Sequence, residues 1–199
     1  MCTTPPDLGR RLPTLEGARV ALRWIEAGDL PALEAIFSDP EVTRFLGTPR
    51  IRGRRDAERF LDEIRTGFRE RTLFEWGVAE PAGGALIGTC TLAGVSWLHR
   101  RAEVGFALNR RHQGRGIMSE ALPLLLRFAF QDLGLHRLEA DADPRNVPSL
   151  RLLERAGFRR EGYLRERYHQ EGEVQDAVFL GLLRREFEAR LRDGRHRGV

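Results

Sequence analysis

The chain contains no lysine; every one of its 33 Lys+Arg residues is arginine. Set against 29 acidic residues, they leave a formal net charge of only +4. Acid and base are interleaved, as in Glu154-Arg155 and Arg165-Glu166-Arg167. Interleaved charge is the pattern of a solvated surface, not of a track for a phosphate backbone, so direct nucleic-acid binding is not expected. The one basic run is 184–197. Cysteine is almost absent: Cys2 and Cys90 cannot build a disulfide framework and match no zinc spacing. No metal is therefore expected, a reduced cytoplasmic protein is the default, and Cys90 reads as a buried strand residue. Long apolar runs are missing too. Segments such as Leu122–Leu126 fall far short of the roughly 20 residues a membrane span needs, and no secretory signal is expected at the N-terminus.

What is present suffices for one full core: 199 residues, of which 41% are hydrophobic. The expected layout is a flexible head over 1–14, a single domain over 15–187 and a basic tail over 188–199. Period-two alternation predicts a strand at Arg19–Arg23. Asp29 opens a helix carrying Leu30, Leu33, Ala35 and Phe37, with Pro31 in its first turn. Helical spacing of Phe60, Leu61, Ile64 and Phe68 predicts a second helix over 54–71. Strands follow at 74–79, 85–92 and 102–108, the first two separated by a turn at 80–84. A helix over 117–133, a strand over 136–142 and a helix over 148–156 stopped by Gly157 come next. Segments 158–168 and 174–183 read as a closing hairpin. This order makes a mixed α/β, or α+β, sheet with helices on its faces.

One junction carries chemistry. Arg111-His112-Gln113-Gly114-Arg115-Gly116-Ile117-Met118-Ser119 lies between a strand and an apolar-faced helix. Two glycines leave the amides unobstructed at a helix N-terminus, an arrangement suited to a pyrophosphate, and Arg111 and Arg115 add positive charge. A Walker loop would need a lysine here, and a dinucleotide fingerprint would need glycine at Ser119; neither fits. In the preceding strand, Ala102, Val104, Phe106 and Leu108 face one way and Glu103, Gly105 and Ala107 the other. Gly105 and Ala107 present almost no side chain, so an extended ligand can lie against that backbone, with Glu103 at the far end of the same face. Downstream, Asn146 and Ser149 either serve as cap and first turn of a helix or hydrogen-bond a ligand.

A strand, R-x-x-G-x-G opening a helix, a further strand, and then N-x-x-S-x-x-L-x-x-x-G-F resemble the GNAT superfamily of acetyl-CoA-dependent N-acetyltransferases. The matching residues are Arg111, Gly114, Gly116, Asn146, Ser149, Leu152 or Leu153, Gly157 and Phe158. Gly162-Tyr163-Leu164-Arg165 with Asp176 before Leu180 is similar to the RimJ/RimL branch, which acetylates ribosomal-protein N-termini. The resemblance implies a mixed, mostly antiparallel sheet of about seven strands with helices on both faces, splayed between 102–108 and 136–142. It implies acetyl-CoA in the splay, with pantetheine along Phe106, Ala107 and Leu108. Pyrophosphate would lie on the amides of Gln113 to Met118, near Arg111 and Ser119, and Asn146 would also bind the cofactor, between the two strands. Ser149 would protonate the departing thiolate. Glu103 is the first choice for the base that deprotonates the amine, because its face of the strand points at the ligand; Glu75 and His112 are the alternatives. Pro123, within the helix after the loop, removes an N–H that would bond back to Ser119.

The acceptor implied by the branch is a protein N-terminal α-amine. A small amine such as an amino acid, polyamine or antibiotic is the alternative, and a non-catalytic coenzyme A-binding module is the third reading. Acceptor pockets would be built from 24–72 and 163–175, which hold Trp24, Phe45, Phe68, Tyr163 and Tyr168. A monomer or a homodimer is compatible with the sequence.

Overall fold

Alternating and helical hydrophobic patterns resolve into one sheet sandwiched by helices in a computed structural model, which describes residues 5–80, 84–170 and 172–196. Cys2, the centre of the 80–84 turn and the last residue of the basic run lie outside these. The chain runs through β1 (Leu15–Glu16), β2 (Ala21–Arg23), α1 (Leu30–Phe37), α2 (Pro40–Thr43) and α3 (Arg54–Glu70). It continues through β3 (Phe74–Ala79), β4 (Leu86–Ser96), β5 (Arg101–Leu108), α4 (Ile117–Arg127) and β6 (Arg137–Ala142). Then come α5 (Val147–Ala156), β7 (Arg159–Gln170), β8 (Glu173–Leu183) and α6 (Arg184–His196).

The described sheet has eight strands in the order β1-β2-β3-β4-β5-β6-β8-β7. Every neighbouring pair is antiparallel except β5–β6. The strand beyond the seven or so expected is the two-residue β1, which pairs Leu15 with Leu22 and Glu16 with Ala21. So short a segment has no readable period.

Each face of the sheet has its own core. Phe74, Trp76, Ala102 and Val104 join Ala121, Leu122 and Leu125 of α4 and Leu153 of α5 on one face. Ala107 joins Leu33 and Ile36 of α1 and Leu61 and Ile64 of α3 on the other. The alternation of β5 is thus the device that faces Glu103, Gly105 and Ala107 toward the α1–α3 side. Helix α4 continues through Pro123 to Arg127, after which Phe128–Asp132 widen into a π-helical turn. The predicted 117–133 helix therefore has two forms.

Packing extends past both expected domain boundaries. Leu12, in the expected head, is 2% exposed, and the Pro13 carbonyl accepts from Trp76 Nε1 at 2.9 Å. The basic run begins as α6, not as a tail, and Phe187 packs on Phe130 with ring centroids 5.1 Å apart. Phe187 and Leu191, four residues apart, are the apolar stripe of this helix; Phe187 is buried in the main core and Leu191, partly buried, packs against it.

Candidate active site

The one parallel pairing makes the cleft. β5 and β6 are paired only at Arg101–Arg137, Ala102–Leu138 and Glu103–Glu139. Beyond Glu103, β5 stays with β4 as far as Leu108, while β6 stays with β8 as far as Ala142. The strands splay, and the backbone of 104–108 has no strand on its β6 side among the described residues. This is the separation between 102–108 and 136–142 implied by the resemblance.

At the end of β5, Asn109 Oδ1 accepts from the Arg111 amide at 3.0 Å and opens a single 3₁₀ turn over Arg110–His112. Gln113 Nε2 donates to the Leu108 carbonyl at 3.1 Å, tying the loop back to the strand. Gly114 and Gly116 have φ of +74° and +75°, conformations that L side chains enter only with strain. A Cβ on Gly114 would meet nothing within 4 Å, and one on Gly116 only Arg19 Nη2 at 3.7 Å. The loop is therefore an open, exposed cradle of amides at the N-terminus of α4, with Arg111, Arg115 and Arg19 beside it, and its shape and charge fit a pyrophosphate. Arg19 was not legible as a site residue. The structure brings it there because Glu120 of α4 accepts from its amide at 2.7 Å and from its Nε at 2.9 Å. Met118 is buried in the core, where its Sδ accepts from Cys90 Sγ at 3.5 Å. Only its backbone faces the loop. Burial pushes the Cys90 thiol up, away from thiolate chemistry.

A cleft of about 600 Å³ opens on the α1–α3 face of the splay, and Glu103, Phe106, Ala107, Asn146 and Ser149 all line it. Leu108 and Ile117 instead pack against the main core. The 111–119 loop lies at the far end of β5, about 17 Å from Glu103 at the strand's rise per residue. Asn146 is the cap of α5, its Oδ1 accepting from the Ser149 amide at 3.3 Å, so its structural role is filled while it also faces the cleft.

Two carboxylates stand at the reacting end. Glu103 is an exposed residue, yet desolvation in the cleft and then the nearby Asp141 raise its pKa above the ordinary glutamate range. Glu75, on β3, is 5% exposed. Cross-strand register places Glu75 opposite Thr91, and Thr91 opposite Gly105, so the three lie in one row across the sheet and all line the cleft. Burial pushes Glu75 up to about 7, partly offset by hydrogen bonds from Thr89 and Thr91. Its native proton is a stability statement. Stabilisation is fully present below about pH 4.5 and is lost as pH rises through about 7. The wild type is expected to lose roughly 3 kcal/mol across that window relative to Glu75→Gln. Denaturant midpoints measured for both proteins across this range check it; parallel profiles would rule it out.

The far wall comes from the β7–β8 hairpin. Between Leu164 and Tyr168 the register shifts, and Glu166 takes φ +54°. A bulge of this kind re-aims side chains. Asp176 holds it, accepting from Tyr163 Oη at 2.6 Å and from the Glu166 amide at 2.7 Å. Arg167 and Tyr168 are thereby turned onto Asp141 Oδ2, at 3.1 and 2.9 Å. Burial and Asp141 push the Tyr168 hydroxyl up to about 12. Gln170 Nε2 reaches the Thr43 carbonyl at 2.8 Å and Gln175 Nε2 the Arg44 carbonyl at 3.0 Å, closing the hairpin onto the loop after α2. Of the aromatic residues expected in acceptor pockets, Phe45 and Tyr168 line the cleft. Trp24 and Phe68 stack edge to face in the core, 5.1 Å apart.

Residues 19–159 match the family model for the acetyltransferase (GNAT) domain. The chain is 32% identical to the uncharacterized N-acetyltransferase p20 of Bacillus licheniformis over 88% of its own length and 99% of that protein. It is 29% identical to the [ribosomal protein uS5]-alanine N-acetyltransferase of Escherichia coli over 61% of its length and 63% of that enzyme. The spermidine N-acetyltransferase of Vibrio cholerae, solved with CoA and spermine, superposes with a TM-score of 0.77 at 23% identity, covering 86% of this chain and 99% of that one. The chain belongs to the GNAT acetyltransferase family. It is an N-acetyltransferase whose cosubstrate is acetyl-CoA. No described helix is long and apolar enough to cross a membrane.

Proposed function

We propose that the acceptor is the α-amine of a protein N-terminus. The observation that carries this reading is the pair of carboxylates, Glu75 and Glu103, that line the cleft, each made more basic by burial. Glu75 sits at about 7, and Glu103 lies above the ordinary glutamate range. An α-ammonium titrates at about 7.7–8.0, within reach of such bases, whereas an alkyl ammonium of the lysine type titrates near about 10.4. The likeness to a ribosomal-protein N-acetyltransferase supports the same class.

Acetyl-CoA supplies the activated acetyl group, and Gly114, Gly116, the amides from Gln113 to Met118, Arg111 and Arg115 would hold its pyrophosphate. Strand β5 would align the rest along Phe106 and Ala107 and offer a backbone N–H to the carbonyl that gains negative charge. Glu103 takes the first proton from the ammonium, since only the neutral amine can attack. The N–C bond forms as the C–S bond breaks, and Ser149 relays the second proton to sulfur. Positioning amine and thioester together supplies much of the acceleration.

A second reading, a polyamine acceptor, is supported by the acidic lining of Glu63, Glu75, Glu103 and Asp143. Incubation with acetyl-CoA and a panel of free and N-blocked peptides, spermidine and an aminoglycoside separates the two, read by mass spectrometry. Labelling of the free peptides at the α-amine is expected. Fast turnover of spermidine with no peptide labelled would overturn the first reading.

A further inference from the structure

Asp141, on β6, carries an atom that the fold does not account for. Its Oδ2 is taken by Tyr168 and Arg167, but Oδ1 is shielded from water and has no hydrogen-bond partner among the described residues. The side chain is 4% exposed, and the residue lines the cleft beside Glu103. A buried acceptor left unmatched costs about 1–3 kcal/mol, more when charged. Such a group is accounted for where a ligand brings the missing donor. The surroundings define that donor. Glu63, Glu75, Glu103 and Asp143 share the cleft, against Arg167 as its cation. Arg167 is engaged by Asp141, and Asp143 by Arg145 at 2.7 Å. Among the described residues, no cation in the lining is left over to receive a carboxylate from the acceptor.

Resting on the amine-acetylation reading, we propose that Asp141 Oδ1 accepts an N–H of the incoming primary ammonium and thereby selects acceptors with no carboxylate beside the amine. One N–H stays on Asp141 while another proton leaves for Glu103, so the nitrogen is held as its lone pair is freed. An amide next to the amine, as in a peptide N-terminus, is neutral and is admitted. The carboxylate of a free amino acid would sit against Asp141 and Glu103 uncompensated, and like charges at this range repel strongly.

The test compares alaninamide with alanine as acceptors for wild type and Asp141→Asn. Asparagine keeps a carbonyl oxygen for Tyr168 and Arg167 but turns a donor toward the amine. The wild type should favour alaninamide, and the ratio of kcat/KM values should fall about tenfold or more in the variant, because removing the Asp141 charge relieves its repulsion of the alanine carboxylate. The KM for acetyl-CoA should stay within about twofold. Comparing ratios between enzymes cancels the difference in amine pKa between the two acceptors. A second measurement uses the native protein alone: dimethylated alaninamide, which keeps one N–H, should compete about tenfold better than the trimethylated form, which keeps only charge. An unaltered ratio, or equal competition by the two methylated forms, overturns the assignment of Asp141 while acetylation itself proceeds. No acetylation of any amine, with acetyl-CoA still bound, overturns the acceptor reading and this inference with it.

Discussion

Glu103→Gln and Ser149→Ala are each expected to lower kcat by about 10²–10⁴-fold, and by less where water substitutes as a proton carrier. Both side chains face the cleft, Glu103 from β5 and Ser149 from the first turn of α5. Neither substitution opens a cavity in the core, so the protein should fold and bind acetyl-CoA with little change in KM. Such a pattern marks groups that act in the transition state, not in binding. The pH profile adds a readout that a structural role would not move. A base works only when deprotonated, so the rate climbs on the acidic side through its pKa. Desolvation and Asp141 raise that of Glu103, and Glu103→Gln should abolish this limb. Near-full activity with an unaltered profile would transfer the role to Glu75, whose limb would lie at about 7.

Gly116→Asp is expected to weaken acetyl-CoA binding by about 10–100-fold, as would follow from losing or opposing a charged hydrogen bond worth roughly 1.5–3 kcal/mol. Gly114→Trp should act similarly by filling the cradle. At φ of +74° and +75° an L residue is strained, at a cost of roughly 1–2 kcal/mol. Both sites are exposed, and a Cβ at either has open space, so the strain is local and the fold should survive. Isothermal titration reads the affinity, and near-ultraviolet circular dichroism reads the fold. Unchanged affinity in a folded double variant would place the pyrophosphate elsewhere.

Much of this site was legible before any coordinates. The loop from Arg111 to Ser119, its position between β5 and α4, and the facing of Glu103, Gly105 and Ala107 follow from local rules, namely positive-φ glycines, a helix start and period-two alternation. Asp176 was visible as part of a resemblance, but not its work. It holds the bulge at Glu166, and that bulge turns Arg167 and Tyr168 toward a carboxylate on another strand. Arg19 reaches the 111–119 loop through Glu120, 101 residues away.

The sequence by itself determined most of the elements, the glycine-opened loop before α4 and the odd-numbered face of β5, because each depends on residues within a few positions of one another; the family followed from the order of motifs between Arg111 and Phe158. It also set the stripe of Phe187 and Leu191, although a run of arginines obscured that helix. Only the tertiary structure decided at which residue β5 and β6 part, that Glu75 on β3 is buried, and that Asp141 has one oxygen without a donor among the described residues. Those properties depend on register between strands distant in the chain and on the dielectric that packing creates around a carboxylate. No local pattern encodes either, since the same Asp or Glu in an exposed strand would be an ordinary solvated charge.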